Sequence, residues 1–412
     1  MKWEKLKLKD VCVKVTKGTT PTTYGFPFVE RGINYIKAES ILEGGGILPN
    51  TFAFIDEATH EYLKRSILCD KDILISIAGA KLGKCGFLTE QFLPANTNQA
   101  VGIVRIDANK AEPKYVYYNF VNNHTYQRIN SLNSQAAQPN LNLGQLGELE
   151  FQYPPLSTQR SIAFILSAYD NLIENNLKRI KLVEEKAQLH YKELIQETNF
   201  TKTKREECIK DCLAFYIGGG WGEDEYKEPF TEPAYVIRGT DIPYAKKGEI
   251  SSVPFRYHKV SNLASRKMQA GDIVFEVSGG SKGQPVGRSL LITDKLLSQF
   301  KQPSICASFC KLLRPNATIT PEHLYLYLLA SQENGIISQY EKHSASNIVN
   351  YGFEEFIAEQ KILIPKESEL KAFTEKVKPI FMLISSLGEQ NSKLKEARDI
   401  LSPKLINGQK EV

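Results

Sequence analysis

Long apolar runs are missing from this sequence, which argues against a membrane protein. No apolar stretch among the 412 residues reaches the length that a membrane-spanning helix needs. The N-terminus, MKWEKLKLKD, is charged from its first residues and lacks the apolar segment of a secretory signal. We therefore expect a cytoplasmic protein that makes no contact with a membrane.

Cysteine is sparse and follows no disulfide-like pattern. The seven cysteines are an odd number, which indicates free thiols in a reducing compartment. Two pairs, Cys208/Cys212 and Cys306/Cys310, share one spacing, and His323 follows them. Four cysteines can bind zinc, but this spacing is not typical of zinc knuckles. We expect buried thiols and no metal, with a zinc site as the alternative.

A strong excess of charge of one sign is also missing. The formal net charge is +5, a modest bias for this length. If the chain binds nucleic acid, its basic residues must be clustered on parts of the surface. The length itself predicts two or three domains.

The sequence contains an internal duplication with offsets between about 200 and 211 residues. Several segments of the first half recur in the same order in the second half. They are 33–37 with 234–238, 69–76 with 270–278, 79–84 with 279–284, 113–118 with 321–326, and 149–155 with 361–365. This period is too long for solenoid repeats, so we predict two similar domains related by a pseudo-twofold axis.

Each repeated domain has the pattern of an α+β fold. Short β-like runs alternate with Gly, Pro and Asn, and helices are predicted near 113–130 and 321–340. We expect a mainly antiparallel, twisted sheet in each domain.

A long helix is predicted after each domain. Residues 157–196 contain no Pro or Gly, and apolar residues recur every seven positions over about five heptads, roughly 60 Å of helix. Residues 367–406 repeat the pattern, although Pro379 and Gly388 weaken it and Pro403 is expected to end or kink the helix. The predicted seam residues are Leu166, Ile173, Asn176, Ile180 and Val183 in the first helix and Phe373, Ile380, Leu387, Asn391 and Leu394 in the second.

Such narrow apolar stripes need a packing partner. One possibility is that each helix packs on its own domain. We favour an antiparallel coiled coil of the two helices, because the seams match in length and each contains an Asn that can fix the register.

Several motifs resemble the specificity subunits of type I restriction–modification systems, which serve in bacterial defence. The segments 155–162 and 169–188 resemble the central conserved region of that family, 401–408 resembles its closing motif, and 3–10 resembles the start of its recognition domains. The second helix departs from the pattern, since its entry reads Lys366-Glu367-Ser368-Glu369-Leu370. The resemblance covers essentially the whole chain.

The resemblance implies a four-part organisation and a non-catalytic role. We expect a target-recognition domain at 1–155, a central helix at 156–198, a second recognition domain at 199–365 and a C-terminal helix at 366–412. Each domain would read one half of a bipartite, asymmetric target in double-stranded DNA. The coiled coil would set the spacing and dock two methyltransferase subunits, through which restriction and translocase subunits join. S-adenosylmethionine and ATP would belong to these partners, so we expect no cofactor in this chain.

Motifs for catalysis are weak. The loop 79–85 is similar to a phosphate-binding P-loop, but it has one residue too few between its glycines and Cys85 in place of Ser or Thr. We interpret it as a turn. Tyr153-Pro154-Pro155-Leu156 lacks the polar residue and the aromatic residue of an amino-methyltransferase motif and lies where a helix is expected to begin.

DNA readout requires polar and basic side chains on exposed loops. The candidates for DNA contact are Thr20, Thr22, Lys37, Lys81, Lys84, Asn98 and Gln135 in the first domain, and Arg238, Lys246, Lys247, Arg266, Lys282, Gln284 and Arg288 in the second. For each of them the alternative is a solvated surface turn. Two other functions also stay open, a nuclease or methylase that acts alone and an adaptor whose duplicated domains bind protein.

Overall fold

The computed structural model describes residues 3–79, 82–131, 140–199, 205–279, 286–343 and 349–411. The chain divides into two compact units. Unit 1 comprises Met1–Asn171 together with Lys395–Val412, and unit 2 comprises Leu172–Leu394. Both boundaries fall inside long helices, so each unit contains a segment of each helix.

Unit 1 is built from short strands and helices. Its strands are β1 Glu4–Lys7, β2 Cys12–Lys17, β3 Ile33–Ile36, β4 Ala53–Ile55, β5 Ile73–Ser76, β6 Cys85–Phe87, β7 Ala95–Thr97, β8 Val101–Ile106 and β9 Glu150–Tyr153. Its helices are α1 Glu57–Tyr62, α2 Pro113–Val121, α3 Asn123–Ser131, α4 Leu143–Gly147 and the first part of α5 Leu156–Asn199. The sheet orders are β2-β8-β5-β6, β4-β3-β7 and β1-β9.

Unit 2 repeats this arrangement. Its strands are β10 Arg205–Cys208, β11 Leu213–Gly218, β12 Glu232–Ile237, β13 Phe255–His258, β14 Ile273–Glu276, β15 Ser278–Gly279, β16 Ser289–Leu291, β17 Ser304–Cys306, β18 Cys310–Pro315, β19 Glu341–His343, β20 Val349–Tyr351 and β21 Lys361–Ile364. Its helices are α6 Ile242–Ala245, α7 Val260–Arg266, α8 Asp294–Leu297, α9 Pro321–Glu333, α10 Phe353–Glu359 and the first part of α11 Glu367–Ile406. The corresponding sheet orders are β11-β18-β14-β16, β13-β12-β17 and β10-β21, with a further sheet β15-β20-β19.

The repeat extends to details of pairing. Each unit has a bulge at the start of the same strand pair, between Cys12 and Lys14 in β2 and between Leu213 and Phe215 in β11. Each also has one parallel pair, β3 with β7 and β12 with β17, in sheets that are otherwise antiparallel. The predicted α+β fold of two similar, mainly antiparallel domains is confirmed.

A buried carboxylate fastens the same turn in both units. In unit 1, Asp72 accepts two hydrogen bonds from Arg105, both at 2.8 Å, and one from the backbone N–H of Cys69. In unit 2, Asp272 accepts from Arg314 at 2.7 and 2.8 Å and from the backbone N–H of Gln269. Both carboxylates are almost fully buried, so the bidentate arginine compensates for the loss of their hydration.

The two long helices complete the core of each unit. In unit 1, Leu166 of α5 and Leu405 of α11 belong to the same cluster of buried apolar residues as Leu8 of the sheet domain. In unit 2, Ala187 of α5 and Val377 of α11 are buried in the main core. Both packing schemes weighed from the sequence are therefore present, because each helix packs on the other helix and on a domain.

The helices run antiparallel within unit 2. Asn176 donates its amide N–H to Asn391 Oδ1 at 2.9 Å, and both side chains are buried. Leu194, further along α5, lines the same cavity as Phe373, which comes earlier in α11. Within unit 1, Asp170 of α5 accepts hydrogen bonds from Arg398 Nη1 at 2.6 Å and from the Tyr118 hydroxyl at 2.5 Å. The predicted antiparallel pairing of the helices is confirmed.

The predicted seam residues are buried to different degrees. Leu166, Ile173, Ile180, Phe373, Ile380 and Leu387 are buried, as are Asn176 and Asn391, whereas Val183 and Leu394 are half-buried. Their role in setting the helix register stays a prediction.

The structure corrects three expectations for the helices, at Pro403, at 113–130 and at 321–340. Pro403 does not end α11, which continues to Ile406 because the Pro403 carbonyl still accepts the N–H of Asn407. Gly388 lies within α11 at a position where a side chain would overlap the carbonyl oxygen of Lys247. The helix predicted at 113–130 is two helices, α2 and α3, separated at Asn122, whose side chain accepts the N–H of His124. The helix predicted at 321–340 ends at Glu333.

Candidate nucleic-acid interface

In unit 1, the loop that leaves β2 is tied to the turn that follows β7. A Cβ at Gly18 would overlap the carbonyl oxygens of Thr97 and Asn98, so only glycine fits here. The N–H of Thr19 donates to the Thr97 carbonyl at 2.9 Å, and the Thr20 hydroxyl donates to Gln99 Oε1 at 2.5 Å. We call the residues from Gly18 to Phe28 loop 1. Its first residues are therefore fixed on the sheet.

An arginine braces loop 1 from the other side. Arg65, in the 3-10 turn Lys64–Ser66 after α1, donates from Nη2 to Thr19 Oγ1 at 3.2 Å. Lys14 of β2 donates to the carbonyl of Arg65 at 3.2 Å. Lys64 and Arg65 are both exposed. A basic pair therefore lies beside the start of the loop.

Exposed aromatic side chains cluster on loop 1. The ring of Tyr62 lies 5.6 Å from that of Tyr24 and 4.9 Å from that of Phe26. Tyr24 is 53% exposed and Tyr62 is 58% exposed, although both rings are large and apolar. Phe28, at the end of the loop, packs edge-on against Tyr35 and lies 5.0 Å from Lys37 Nζ. Mixed aromatic and cationic surfaces of this kind suit contact with nucleic acid.

Unit 2 builds the same framework with different residues. A Cβ at Gly219 would overlap the carbonyls of Cys306 and Ala307, and the N–H of Gly220 donates to the Cys306 carbonyl at 2.9 Å. Arg266, at the end of α7, donates from Nε to the carbonyl of Gly218 at 2.8 Å. We call residues 219–231 loop 2. It occupies the same place in the sheet order as loop 1.

The aromatic residues of loop 2 differ from those of loop 1. Trp221 is 40% exposed, and the guanidinium of Arg256 lies 4.3 Å from the centre of its ring. Arg256 also pairs with the exposed carboxylate of Asp224. Tyr226, which is 61% exposed, packs perpendicular to Tyr257 at 5.9 Å. Loop 2 therefore presents an indole that packs on a buried arginine, whereas loop 1 presents tyrosines and threonines.

A neutral histidine supports loop 2 from below. His258 is fully buried, and a Cβ at Gly222 would strike its ring. Burial lowers the pKa of His258, and the positive charges of Arg256 and Arg266 lower it further. The ring is therefore uncharged at neutral pH and packs as an apolar group.

Four of the predicted DNA-contact residues already have partners inside the protein. Arg288 forms a bidentate pair with Glu276 at 2.7 and 2.5 Å, and Arg238 forms one with Asp241 at 2.9 Å. Lys84 donates to the carbonyl of Ala38 at 2.6 Å, and Lys37 lies 3.7 Å from Glu39. These contacts give the four side chains partners within the protein, and their contact with DNA stays a prediction.

Lys246 and Lys247 lie near the long helices rather than near loop 2. Both line a cavity of about 410 Å³ in unit 2 together with Glu184 of α5 and Tyr325 of α9. Burial lowers the pKa of Lys246 to about 8, partly offset by Glu184, and burial raises the pKa of Glu184. Lys247 is exposed.

The remaining candidates fall into two groups. Thr20, Thr22 and Asn98 belong to loop 1 or to the turn on which it packs, and Arg266 braces loop 2, so the structure places these four at the two loops. Lys81, Gln135, Lys282 and Gln284 lie outside the described residues.

Sequence reasoning missed three residues of these sites, Arg65, Tyr62 and Trp221. Arg65 was detectable, because it lies 201 residues before Arg266, the same separation as between Gly18 and Gly219. The clustering of Tyr62 with loop 1 required the fold, since α1 is far from loop 1 in sequence.

The described residues show few features of a metal or membrane protein. None of their helices is both long and apolar enough to cross a bilayer. Within the same residues, no group of three or more His, Cys, Asp and Glu side chains is arranged to hold a metal ion. Cys212, Cys306 and Cys310 are buried thiols and Cys208 is half-buried. Burial raises the pKa of Cys306 to about 12, so its thiol is uncharged at neutral pH.

Comparison with a solved structure defines the class of fold. The S subunit of a type I restriction–modification system from M. genitalium aligns with 98% of this chain and 95% of its own length, with a TM-score of 0.55 at 14% sequence identity. The two-unit architecture with its pair of long helices is therefore the fold of an S subunit.

Sequence comparison points to the same class of protein. Residues 1–185 match the family described as type I restriction modification DNA specificity domain. The MjaIX specificity subunit of Methanocaldococcus jannaschii is 22% identical over 100% of this chain and 94% of its own length. The MjaVIII specificity subunit of the same organism is 27% identical over 44% of this chain and 43% of its own length. The chain is therefore similar to the specificity subunits of type I restriction–modification systems over its whole length, and its first 185 residues match their specificity domain, as its motifs indicated.

Proposed function

We propose that this chain is the non-catalytic, DNA-reading subunit of a type I restriction–modification complex, and that each unit reads one half of a bipartite target. One observation carries the proposal. The same loop framework occurs once in each unit, with a glycine packed on a neighbouring turn and an arginine brace, while the residues that it displays differ. A repeated support with different side chains is expected of two readers of different half-sites, so the target is asymmetric.

The side chains on the loops suit contact with DNA. Threonine, glutamine and asparagine donate to and accept from base edges, and arginine and lysine hold phosphates. Loop 1 and its turn supply Thr20, Thr22 and Gln99, whereas loop 2 supplies Trp221 and lies beside Arg266. Because the formal net charge of the whole chain is only +5, binding would depend on these local clusters.

The helices α5 and α11 would set the spacing of the half-sites, since each contributes residues to both units. They would also dock two modification subunits. Phe164, Leu182 and Leu189 of α5 are 76%, 64% and 55% exposed, so they offer apolar side chains for such docking. Methyl transfer and restriction would occur in the partner subunits, which would hold S-adenosylmethionine and ATP.

Adenine methylation in cells tests the proposal. The chain is co-expressed with the modification subunit encoded beside it, and host DNA is read by single-molecule sequencing. We expect methylated adenines within one bipartite, asymmetric motif. The double variant Trp221→Ala/Tyr226→Ala should relax only one half of the motif, and Tyr24→Ala/Tyr62→Ala should relax only the other.

The matched control is Tyr244→Ala, which removes an aromatic ring of unit 2 that is 54% exposed but lies on α6, outside loop 2. It should leave both halves of the motif unchanged. A motif that is continuous rather than split, or one that both double variants alter in the same half, would contradict the assignment of one half-site to each unit.

A further inference from the structure

Arg65 and Arg266 occupy equivalent positions in the two units. Arg65 lies in the short helical segment that follows β4, and Arg266 ends the short helix that follows β13. β4 pairs with β3, and β13 pairs with β12 in the same way. Each donates to the residues where the loop leaves its strand, Arg65 to Thr19 and Arg266 to Gly218. The contact therefore occurs once per unit, although the acceptor is a hydroxyl in one unit and a carbonyl in the other.

Both arginines lack a carboxylate partner among the described residues. Other arginines of the two sheet domains form such pairs. They are Arg105 with Asp72, Arg205 with Glu207, Arg238 with Asp241, Arg256 with Asp224, Arg288 with Glu276 and Arg314 with Asp272. Arg65 makes one described hydrogen bond and Arg266 makes two, so most donors of each guanidinium are not used by described residues.

Further basic residues lie beside both arginines. Lys14 and Lys64 lie beside Arg65, and the exposed Lys267 follows Arg266. A planar guanidinium with unused donors and no counterion is suited to a phosphate oxygen. Because the same side chain holds the loop, binding an anion there would also restrain the loop.

We infer that Arg65 and Arg266 each bind a DNA backbone phosphate next to the loop that they brace, and so couple the grip on the backbone to the position of loop 1 and loop 2. The inference rests on the proposed function, because the anion in question belongs to DNA. A free phosphate or another polyanion has the same chemistry, and the test separates them by using duplex DNA and inorganic phosphate as separate probes.

The experiment measures binding of the full-length chain to a labelled mixed-sequence DNA duplex over a range of KCl concentrations. Arg65→Gln and Arg266→Gln should each reduce the slope of log K against log salt by about one, because each phosphate contact releases roughly one counterion. Arg65→Lys and Arg266→Lys should keep the parental slope, because lysine keeps the charge. Inorganic phosphate should compete only weakly.

The matched controls are Arg160→Gln and Arg179→Gln, which remove the same charge from exposed positions on α5. They should leave the slope unchanged. Equal slopes for the controls and the loop variants would overturn the inference in favour of a net-charge effect. Lysine variants that lose as much slope as the glutamine variants would overturn it too, as would competition by inorganic phosphate at equal charge concentration.

The amide hydrogen exchange of loops 1 and 2 provides a second readout. DNA should slow exchange in both loops of the parent, and in Arg266→Gln it should slow exchange in loop 1 alone. If the parent binds DNA and the arginine variants behave like the controls, only this inference fails. If the parent does not bind DNA at low salt, the proposed function fails.

Discussion

Unit 1 and unit 2 share their framework and differ in what the framework displays. The turn fastened by Asp72 and Arg105 recurs as Asp272 and Arg314, and the bulges of β2 and β11 recur at the same strand pair. Loop 1, by contrast, displays tyrosines and threonines, and loop 2 displays Trp221, which packs on the buried Arg256 of β13. The buried framework is repeated in the two units, whereas the exposed side chains of loops 1 and 2 differ. The sequences of the two halves therefore match only in short segments.

The cores of the two units also differ in one chemical respect. The helix that follows the four-stranded sheet carries Tyr115 in unit 1 and His323 at the matching position in unit 2, and both are fully buried. Tyr115 donates its hydroxyl hydrogen to the carbonyl of Gln152 at 2.7 Å, whereas His323 packs between the rings of Tyr191 and Phe373. Equivalent positions therefore have different sensitivity to acid.

The largest effect is expected where the units are alike. Asp72→Ala and Asp272→Ala each leave a partly buried arginine without its carboxylate and a turn without its acceptor. We expect each to lower the free energy of unfolding of its own unit by about 3 kcal/mol. Local stability is measured by hydrogen exchange of β5 and β14, which separates the two units.

The double variants Asp72→Ala/Arg105→Ala and Asp272→Ala/Arg314→Ala are the controls, and each should cost less than its single aspartate variant, because no unpaired charge remains. A loss in one unit that is more than twice that in the other would show that the shared framework is not equally important in both.

The second effect concerns acid sensitivity, in which the two units should differ. The pKa of His323 is lowered to about 3 by burial, from about 6.5 in the unfolded chain. Below about pH 6.5 the unfolded chain therefore binds a proton at His323 that the folded unit does not bind. The contribution of the neutral His323 to the free energy of unfolding is fully present above that pH and decreases as the pH falls. Between pH 7 and pH 5 we expect His323 alone to cost unit 2 about 2 kcal/mol.

The variant His323→Leu should remove this part of the acid sensitivity of unit 2 and leave that of unit 1 unchanged. Denaturant unfolding of parent and variant, followed at pH 7 and pH 5, measures it. The expectation fails if the stability difference between the two proteins is the same at both pH values.

The third effect concerns the helical seam. In unit 2 the seam contains a hydrogen-bonded pair of buried amides, Asn176 and Asn391, and in unit 1 it contains the pair of Asp170 and Arg398. Asn391→Leu leaves the amide of Asn176 buried without a partner and should cost about 1.5 kcal/mol. Replacing both asparagines with leucine should restore the stability of the helices.

A seam without its amides should also be less specific in register. Disulfide trapping between cysteines introduced along α5 and α11 measures this, and the double leucine variant should form more than one pairing. A single pairing in that variant would show that the surrounding apolar residues set the register without the asparagines.

The smallest effect on stability is expected at the surfaces that differ most. Trp221→Ala and Tyr24→Ala remove side chains that are about half exposed, so each should change the free energy of unfolding by less than about 0.5 kcal/mol. Both should nevertheless weaken DNA binding. A large loss of stability for either variant would show that the ring supports the fold of its unit and is not mainly a DNA-contacting side chain.

The sequence alone predicted whatever depends on local pattern. The heptads of 157–196 and 367–406 correspond to α5 and α11, and the matched segments 33–37 and 234–238 correspond to β3 and β12. The order of the repeats gave the two-unit organisation, because short segments in the same order constrain the topology even when each match is weak.

Contacts between distant residues were not predictable in this way. The parallel pairs β3/β7 and β12/β17 join segments about 60 to 70 residues apart, and nothing in an isolated strand reveals its neighbour. For the same reason the pairing of Arg288 with Glu276 was not predicted, whereas Arg238 pairs with Asp241 only three residues further on, a local contact that the sequence analysis missed. Pro403 was misread because a proline removes one hydrogen bond without preventing a further helical turn.

The position of the unit boundaries inside α5 and α11 has a consequence for the time course of synthesis. The core of unit 1 includes Leu405 and Ile406, which follow all 223 residues of unit 2 in the chain. At about 5–20 residues per second, a ribosome needs roughly 10 to 45 s to make unit 2. During that interval Ile162 and Leu166 lack their partners from α11. Unit 1, whose synthesis begins first, is therefore the last to complete its core. Its apolar residues that await α11 are the ones that a chaperone would cover during synthesis.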